Sequence, residues 1–400
     1  MLHPLIAFPP TRDAGLDRLR QFAPGAGGRY AAGRNTDPGP DQPSAVSKLS
    51  PYLRRRLIAE PEIISHVLAH HSAQAADKFI QEVLWRTYWK GWLELRPGVW
   101  TRFLQARDEQ RDHWAGSKAL HDAEQGRTGL EGFDDWAREL VATGYLHNHA
   151  RMWFASIWIF TLRLPWALGA DFFLRHLLDA DPASNTLSWR WVAGLQTPGK
   201  TYLASAENIA RYTNGRFAPV GLAPRAEPLS EPKLEAPRPL PKAESRSPDA
   251  PFLLLITDED LHPESMFRSG PDLASVLIAS DPRLHHGDYS AQFAARAAED
   301  THARLTEYVD APVQCATRLD AETIMTAAHA ARVREIMTPY APIGPVASAL
   351  SAITPQLAAA GLSVRQIRRP WDEQFWPSAS KGFFPFKERI PAGLRACGLL

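Results

Sequence analysis

Residues 218–250 form a proline-rich stretch that divides the chain into two parts with different sequence patterns. The stretch reads APVGLAPRAEPLSEPKLEAPRPLPKAESRSPDA, with proline every few residues, mixed charges and no aromatic residue. Proline fixes φ and removes a backbone donor, so such a stretch favours an extended, polyproline-like conformation. We therefore predict a linker over 218–250, between one domain at 1–217 and another at 251–400.

The part before the linker has a helical pattern. Apolar residues recur there at three- and four-residue spacing, and β-branched runs typical of strands are scarce. The clearest examples are PEIISHVLAHH, DKFIQEVLWRTYWKGWLEL, FDDWARELVATGYL and DFFLRHLLDA. We predict an all-helical domain for 1–217.

After the linker, short apolar runs alternate with helical segments. PFLLLITDED and ASVLIASD are apolar runs followed by aspartate, as buried parallel strands often are. The alternation predicts a doubly wound parallel sheet in 251–400, so the chain is mostly α with a separate α/β domain. Asp258, Glu259 and Asp260 follow the first strand, where they could line a crevice, although we expect a turn.

Cysteine content and hydropathy restrict the class of protein. Cys315 and Cys397 are the only cysteines, too few for a disulfide scaffold or for a four-cysteine metal site. The most apolar segment, 153–168, is interrupted by Arg163 and Pro165, and the N-terminus lacks the pattern of a secretory signal. We expect a cytoplasmic protein with no membrane contact, no metal site and no obligate protein partner.

Charge allows a modest contact with nucleic acid without requiring it. The net charge is +1, but residues 1–217 contain 26 Lys/Arg against 22 Asp/Glu, so the basic excess belongs to the helical part. That excess is compatible with contacts to a few phosphates.

Tryptophan is concentrated in the helical part. Eleven of the 13 tryptophans lie between Trp85 and Trp191. Leucine and isoleucine fill a core without an N–H that needs a partner, so this density indicates either tight aromatic packing or rings that carry electrons.

Several motifs occur together in the helical part, and their order and spacing resemble the FAD-binding domain of the photolyase/cryptochrome family. In chain order they are FPP with LRQF, Tyr30 and Arg34, SKLSPYL (47–53), EVLWR (82–86), GRTG (126–129), TGYLHNHARM (143–152) and DADPASNTLSWRW (179–191). In most of the family an α/β domain precedes the flavin domain. Here the α/β pattern follows it and ends with KGFFPF (381–386), which resembles the usual close of that domain, so we infer a circular permutation.

The resemblance implies a set of FAD-binding residues. Arg151 and Asp179 would form a buried ion pair across the isoalloxazine ring, Asp181 would accept from the imide edge or the ribityl hydroxyls, and Asn185 would face N5. Ser47 and Ser50 suit a pyrophosphate, although Ser50 could instead cap a helix that has Pro51 in its first turn. The full implied set is Tyr30, Ser47, Lys48, Leu49, Ser50, Arg86, Arg151, Asp179, Asp181 and Asn185.

The resemblance also implies an electron path and a lesion pocket. Trp189 would lie nearest the flavin, with Trp166 next and Trp114 toward the surface. Trp100 and Trp136 are alternatives to Trp114. The pocket for a flipped pyrimidine dimer would have aromatic walls and an acid that holds the base edge and stabilises the dimer radical anion. Its residues would be Glu82, Trp85, Asn148, Met152 and Trp191.

Some positions depart from the family pattern. The family commonly has arginine where His149 stands, and contacts with DNA are expected from Arg34, His149 and Arg190. Arg54, Arg55 and Arg56 stand where glycine is common, and we expect them to form a solvated face. Related (6-4) photolyases carry histidine at the positions of Asn148 and Met152, so this chain fits cyclobutane dimers better.

The resemblance leads to a functional hypothesis and a rival. The first is a lyase that repairs cyclobutane pyrimidine dimers in UV-damaged DNA by light-driven electron transfer from reduced FAD, with a second antenna chromophore left open. The second is a cryptochrome-like photoreceptor that binds FAD without repair. A helical protein without flavin, whose tryptophans serve only the core, is a third interpretation.

Overall fold

The computed structural model describes residues 3–243, 250–267 and 272–400. Residues 244–249 of the predicted linker lie outside the described residues. Among the described residues, no helix is both long enough and apolar enough to cross a bilayer.

The first part of the chain is helical, as predicted. α6 is central, because its apolar residues occur on most sides and pack against α3, α12 and the C-terminal helices. α9 ends at Thr143 because Gly144 adopts a left-handed φ of 65° at its C-cap. The helices are α1 (Pro4–Ala7), α2 (Arg12–Phe22), α3 (Gly28–Gly33), α4 (Ser50–Arg54), α5 (Glu60–Leu68), α6 (Asp77–Glu94), α7 (Gly98–His113), α8 (Lys118–Glu124), α9 (Phe133–Thr143), α10 (Asn148–Ser156, continued by a π-helical turn), α11 (Trp166–His176), α12 (Pro182–Val192) and α13 (Ala206–Tyr212).

The second part contains the predicted doubly wound sheet. Five parallel strands take the order β3-β2-β1-β4-β5, which places the switch in strand order between β1 and β4. The strands are β1 (Phe252–Thr257), β2 (Leu273–Ala279), β3 (Val313–Ala316), β4 (Glu335–Pro339) and β5 (Ser363–Ile367), and the helices between them are α14 (Asp288–Tyr308), α15 (Ala321–Ala330) and α16 (Pro345–Ala359).

One face of the sheet shares its core with the helical part. Leu254 and Ile256 of β1 belong to the same buried cluster as the helices, together with α14 residues such as Phe293. The alternate residues Leu253 and Leu255 pack in a second cluster with α15 and α16. This is the two-residue alternation of a strand with both faces buried.

The last three helices return to the helical part. α17 (Pro370–Phe375), α18 (Phe383–Lys387) and α19 (Ile390–Ala396) follow β5, and α17 and α18 pack on α6. Trp371 Nε1 donates to Thr87 Oγ1 at 3.0 Å, and Tyr88 Oη donates to the carbonyl of Lys381 at 2.8 Å. The range predicted as an α/β domain, 251–400, therefore also supplies helices that cover the helical part.

The proline-rich stretch has no helix or strand in its described residues and is fastened to the helical part. The Leu229 amide donates to the carbonyl of Ala193 at 3.0 Å, and the Arg238 amide donates to that of Leu95 at 2.8 Å. Its carboxylate Glu231 pairs with Arg190 of α12. Its described residues therefore lie along the helical surface.

The solvated face predicted for the three consecutive arginines is wrong, because all three are buried between the two parts of the chain. Arg54 forms a bidentate pair with Glu259 at 2.5 and 2.7 Å. Arg55 donates to the Asp258 carbonyl at 3.5 Å, and Arg56 donates to both carboxylate oxygens of Asp372 at 2.7 Å.

The acidic run after β1 is a turn, as expected, and it is buried. The Asp260 amide donates to the carbonyl of Thr257 at 3.1 Å. Buried guanidinium groups need compensating partners, and this turn supplies Glu259 to Arg54, Asp260 to Arg56 and the Asp258 carbonyl to Arg55. The interface between the two parts is therefore held by compensated charge as well as by apolar contact.

Replacing Arg56 should strongly destabilise the fold. In Arg56→Ala, Asp372 would lose its bidentate partner, and Asp260 and Glu60 would each lose a cation that lies 3.5 to 3.7 Å away. We expect the free energy of unfolding to fall by about 3–5 kcal/mol, the usual cost of removing one partner of a buried ion pair. Urea unfolding followed by circular dichroism measures this.

The control for that measurement is Arg20→Ala. Arg20 pairs with Asp17 on an exposed face of α2, where both side chains are 58% exposed. Exposed pairs contribute little, so this variant should unfold like the wild type. Equal losses in the two variants would contradict the proposed importance of the buried pair.

Candidate functional site

A cavity of about 430 Å³ opens among α3, α6, α10, α12 and the segment before α4. Its volume is typical of small-molecule sites. Sixteen of the residues that sequence reasoning assigned to cofactor, electron transfer, lesion or DNA line it, namely Tyr30, Arg34, Ser47, Lys48, Leu49, Ser50, Glu82, Trp85, Arg86, Asn148, Arg151, Met152, Asp179, Asn185, Trp189 and Trp191.

Helical spacing explains how distant motifs meet here. On α6, Glu82, Trp85, Arg86 and Trp89 follow the i, i+3, i+4, i+7 pattern of one helix face, and all four line the cavity. α12 repeats the pattern with Asn185, Ser188, Trp189 and Val192. Sequence reasoning missed Trp89, although its spacing from Glu82 could have identified it.

A group of ion pairs borders the cavity. Arg86 contacts Asp179 at 3.3 Å, and Arg151 contacts the same carboxylate at 3.6 Å while its Nε donates to the carbonyl of Leu146 at 2.9 Å. Burial alone would raise the pKa of Asp179, but Arg151 and Arg86 outweigh it and hold the pKa below its usual range. Asp179 is therefore a buried, ionised carboxylate that faces the cavity.

The role predicted for Asp181 is not supported, because its oxygens are used within the protein. It accepts from Arg86 at 2.7 Å, lies 3.6 Å from Arg54, and caps α12 by accepting from the Ser184 amide at 2.8 Å. Its side chain is 1% exposed, and it is not among the residues that line the cavity. Asp181 binds Arg86, which lines the cavity, and does not itself present an acceptor to a ligand.

Asn185 presents an acceptor toward the cavity. Its Nδ2 donates to the carbonyl of Ala170 at 2.8 Å, so Oδ1 is the side-chain atom left for a ligand. This suits the position beside flavin N5 that the resemblance implies, because a protonated N5 would donate to it.

The segment before α4 supplies cationic and hydroxyl groups. Lys48 adopts a left-handed φ of 52°, and its Nζ lies 5.5 Å from the centroid of the Tyr145 ring. Burial, together with Arg18, lowers the pKa of Lys48. The alternative role of Ser50 as helix cap is wrong, because the cap is Leu49 and Ser50 is the first residue of α4.

The lining fits a flavin dinucleotide. Within the described residues, Ser50 Oγ and Trp189 Nε1 are buried without a hydrogen-bond partner. Such polar atoms are costly unless a ligand or water satisfies them. Lys48 and Arg151 add the positive charge that a pyrophosphate and a reduced flavin would need.

The outer part of the cavity has an acid between aromatic walls. Glu82 Oε1 lies 4.0 Å from Arg34 Nε, and desolvation raises the pKa of Glu82 while Arg34 opposes the rise. Trp85 stacks on Phe383 with ring centroids 3.6 Å apart, and Trp191 stacks on Tyr202 at 5.7 Å. Each wall therefore has one ring face fixed by another aromatic residue.

Two residues predicted to contact DNA are held by contacts within the protein. Arg190 is 1% exposed and forms a bidentate pair with Glu231, with one of its hydrogen bonds at 2.7 Å. His149 contacts the Asn35 carbonyl at 2.8 Å and the Tyr202 hydroxyl at 3.4 Å, and burial lowers its pKa. The prediction for Arg190 is wrong, because this cation is paired in the interior. The prediction for His149, which is partly exposed, stays a prediction.

The structure brings an unpredicted indole beside Trp189. Trp158 makes an edge-to-face contact with Trp189 at 6.2 Å between ring centroids, whereas Trp166 packs on Phe103 at 5.8 Å and Trp114 lies beside His113 at 6.4 Å. Neither Trp166 nor Trp114 lines the cavity. The electron path through them stays a prediction, and Trp158 is an indole in contact with Trp189.

The crevice at the carboxyl ends of β1 and β4 does not fit a second chromophore. In an open α/β sheet this switch point usually binds the ligand. Here Arg54, Arg55 and Glu259 fill it, and the space left beside His285 and His286 is about 20 Å³, room for one water molecule. Within the described ranges, no cluster of His, Cys, Asp or Glu is arranged to hold a metal ion.

Gly169 allows Trp189 and Trp158 to pack closely against α11. A Cβ built at Gly169 would lie 2.5 Å from Trp189 Cζ3 and 2.9 Å from Trp158 Nε1. We expect Gly169→Ala to lower the free energy of unfolding by about 1–3 kcal/mol through overpacking. Gly98→Ala is the control, since a Cβ there meets nothing within 4 Å, and urea unfolding of both variants measures the difference. Equal stability of the two variants would contradict the close packing.

Comparisons with known proteins also indicate an FAD-binding site. Residues 79–216 match the family model described as the FAD binding domain of DNA photolyase. The deoxyribodipyrimidine photo-lyase of Streptomyces griseus is 33% identical over 154 residues, which cover 38% of this chain and 33% of that protein. The enzyme of the same name from Thermus thermophilus is 34% identical over 194 residues, which cover 48% and 45%.

Two solved structures are also similar. A class III photolyase from Agrobacterium tumefaciens has 25% identity and a TM-score of 0.42, with 51% of this chain and 43% of that chain covered. A cryptochrome from Synechocystis has 23% identity and a TM-score of 0.44, with the same coverage. The chain spans less than half the length of each of these relatives. The matched residues include α6, α10 and α12 of the cavity, so this part of the chain is similar to the FAD binding domain of DNA photolyase.

Proposed function

We propose that this chain repairs cyclobutane pyrimidine dimers in DNA with light, using FAD bound in the cavity. The observation that carries the proposal is that two sets of residues meet in one cavity. The flavin set includes Arg86, Arg151, Asp179 and Asn185, and the lesion set is Glu82, Trp85, Asn148, Met152 and Trp191.

Different residues of the chain would bind different parts of the cofactor. Arg151, Arg86 and Asp179 would surround the ring system with paired charges, Asn185 Oδ1 would accept at its edge, and Ser50 Oγ would meet the dinucleotide. When bound, FAD supplies the light absorption and the electron for the reaction. The chain contributes orientation and a fixed electrostatic environment.

The outer part of the cavity suits an extrahelical pyrimidine pair. Bases must leave the stack to be read on their edges, and flat aromatic walls stabilise them there. Trp85 and Trp191 offer such walls, and their contacts with Phe383 and Tyr202 keep the rings fixed. Glu82 lines this part of the cavity beside Arg34, so its carboxyl group is available for a hydrogen bond to a base edge.

Contact with the DNA backbone would come from the cavity rim. Arg34 lines the rim beside Glu82, and its side chain is 26% exposed. The mild basic excess of residues 1–217 is compatible with contacts to a few phosphates.

The second candidate is a cryptochrome-like photoreceptor that binds FAD without repair. His149 is a tethered, neutral side chain where the family pattern has an arginine, and Arg190 is neutralised by Glu231. Fewer cations toward DNA would weaken substrate binding, and this favours a sensing role. The complete lesion set favours repair.

Glu82→Gln should separate the two functions. The substitution keeps the size of the side chain but removes the ionisable carboxyl group, so a hydrogen bond to the dimer would be weakened or misdirected. We expect repair to fall by about 10- to 100-fold, the range for losing one buried hydrogen-bond partner. Restored thymines in an illuminated, dimer-containing oligonucleotide are measured against a dark sample.

Glu207→Gln is the matched control, since Glu207 is an exposed residue in the first turn of α13. It should repair like the wild type, and flavin photoreduction should persist in both variants. Wild-type protein that photoreduces its flavin but restores no thymine in light would refute the repair function and leave the photoreceptor.

A further inference from the structure

A chain of five alternating charges connects the cavity with the α/β part of the fold. We call Asp179, Arg86, Asp181, Arg54 and Glu259 the ionic chain. Its successive N–O distances are 3.3 Å, 2.7 Å, 3.6 Å and 2.5 Å. Asp179 faces the cavity at one end, and Glu259 follows β1 at the other.

The whole ionic chain is removed from solvent. The side chain of Arg86 is 12% exposed, and the other four are at most 6% exposed. Charges in such surroundings are screened little, so a change at one member is felt by the next. The ionic chain can therefore transmit an electrostatic change from the α/β part to the cavity.

Two of its members are shared between competing partners. Arg54 binds Glu259 through NH1 and NH2, while its Nε points to Asp181. Asp181 in turn forms ion pairs with both Arg54 and Arg86. If Glu259 lost its charge, Arg54 would bind Asp181 more strongly, and Arg86 would turn toward Asp179.

From this arrangement we infer that Glu259 is a positioning residue for the cofactor site, acting through Arg54 and Asp181 on Arg86 and Asp179. The α/β part thus completes the electrostatics of a cavity that it does not line. The inference rests on the proposed function only in that FAD occupies the cavity. It gives a task to Arg54 and Glu259, neither of which touches the cavity.

The direction of the effect follows from charge. Neutralising Glu259 removes one negative charge from the buried network, and drawing Arg86 to Asp179 masks a second negative charge beside the flavin. Both changes favour the more negative, reduced form of FAD. The affinity for reduced FAD should rise relative to that for oxidised FAD.

The test is Glu259→Gln in the full-length, FAD-loaded protein. The reduction potential of bound FAD, measured by equilibrium with a reference dye, gives the ratio of the dissociation constants of oxidised and reduced FAD. We expect E259Q to raise this ratio by a factor of about five or more, the lower end of usual couplings between sites. E259D retains the charge but shortens the side chain that binds Arg54, so its ratio should lie between those of the wild type and E259Q.

Asp258→Asn is the matched control. Asp258 is the preceding residue of the same turn, is equally buried, and contacts His285 Nε2 at 2.9 Å, outside the ionic chain. D258N should lower the free energy of unfolding measured in urea. It should leave the ratio of the dissociation constants of oxidised and reduced FAD unchanged. If E259Q does not fold, E259D is compared with D258N, and a shift confined to E259D supports the inference.

Two outcomes would overturn the inference. One is an unchanged ratio in folded E259Q, or in E259D where that variant must replace it, and the other is an equal shift in D258N, which would reflect general loosening of the interface. Dimer repair is measured on the same preparations. A shifted ratio in E259Q without repair by the wild type would support the inference and remove the proposed function, whereas a wild type that takes up no FAD would overturn both.

Discussion

The structure depends on compensation of buried charge where its two parts meet. Arg54, Arg55 and Arg56 are withdrawn from water together, and a buried guanidinium group without a partner would cost more than a domain interface can recover. The acidic turn after β1 and Asp372 of α17 supply the opposite charges. Docking of the α/β part is thus a condition for burying this segment of the helical part.

The same segment of chain connects the interface with the cavity. Ser47 to Ser50 line the cavity, and α4 then carries Arg54 into the interface within one short helix. The C-terminal helices approach from another side, where Phe383 stacks on Trp85. The cavity is therefore supported by residues from both ends of the chain, and this is compatible with the permuted order inferred from the sequence.

Local pattern was a good guide wherever one helix face or one strand decided the outcome. Glu82, Trp85 and Arg86 meet at the cavity because helical spacing places them on one face. The apolar runs before Asp258 and Asp281 became neighbouring parallel strands, as their composition predicted. The errors included Asp181, Arg190 and the arginine run, which are charged residues whose roles depend on partners far away in sequence.

The sequence by itself determined the fold class, because this follows from short-range periodicity, and its resemblance to a known family implied most of the side chains that line the cavity. Only the tertiary structure decided which partner each charged side chain has. Arg190 could have bound a phosphate but pairs with Glu231. Arg54 could have been exposed to water but pairs with Glu259. An ionic side chain has no preferred partner until the fold brings one within a few ångströms and removes the water between them.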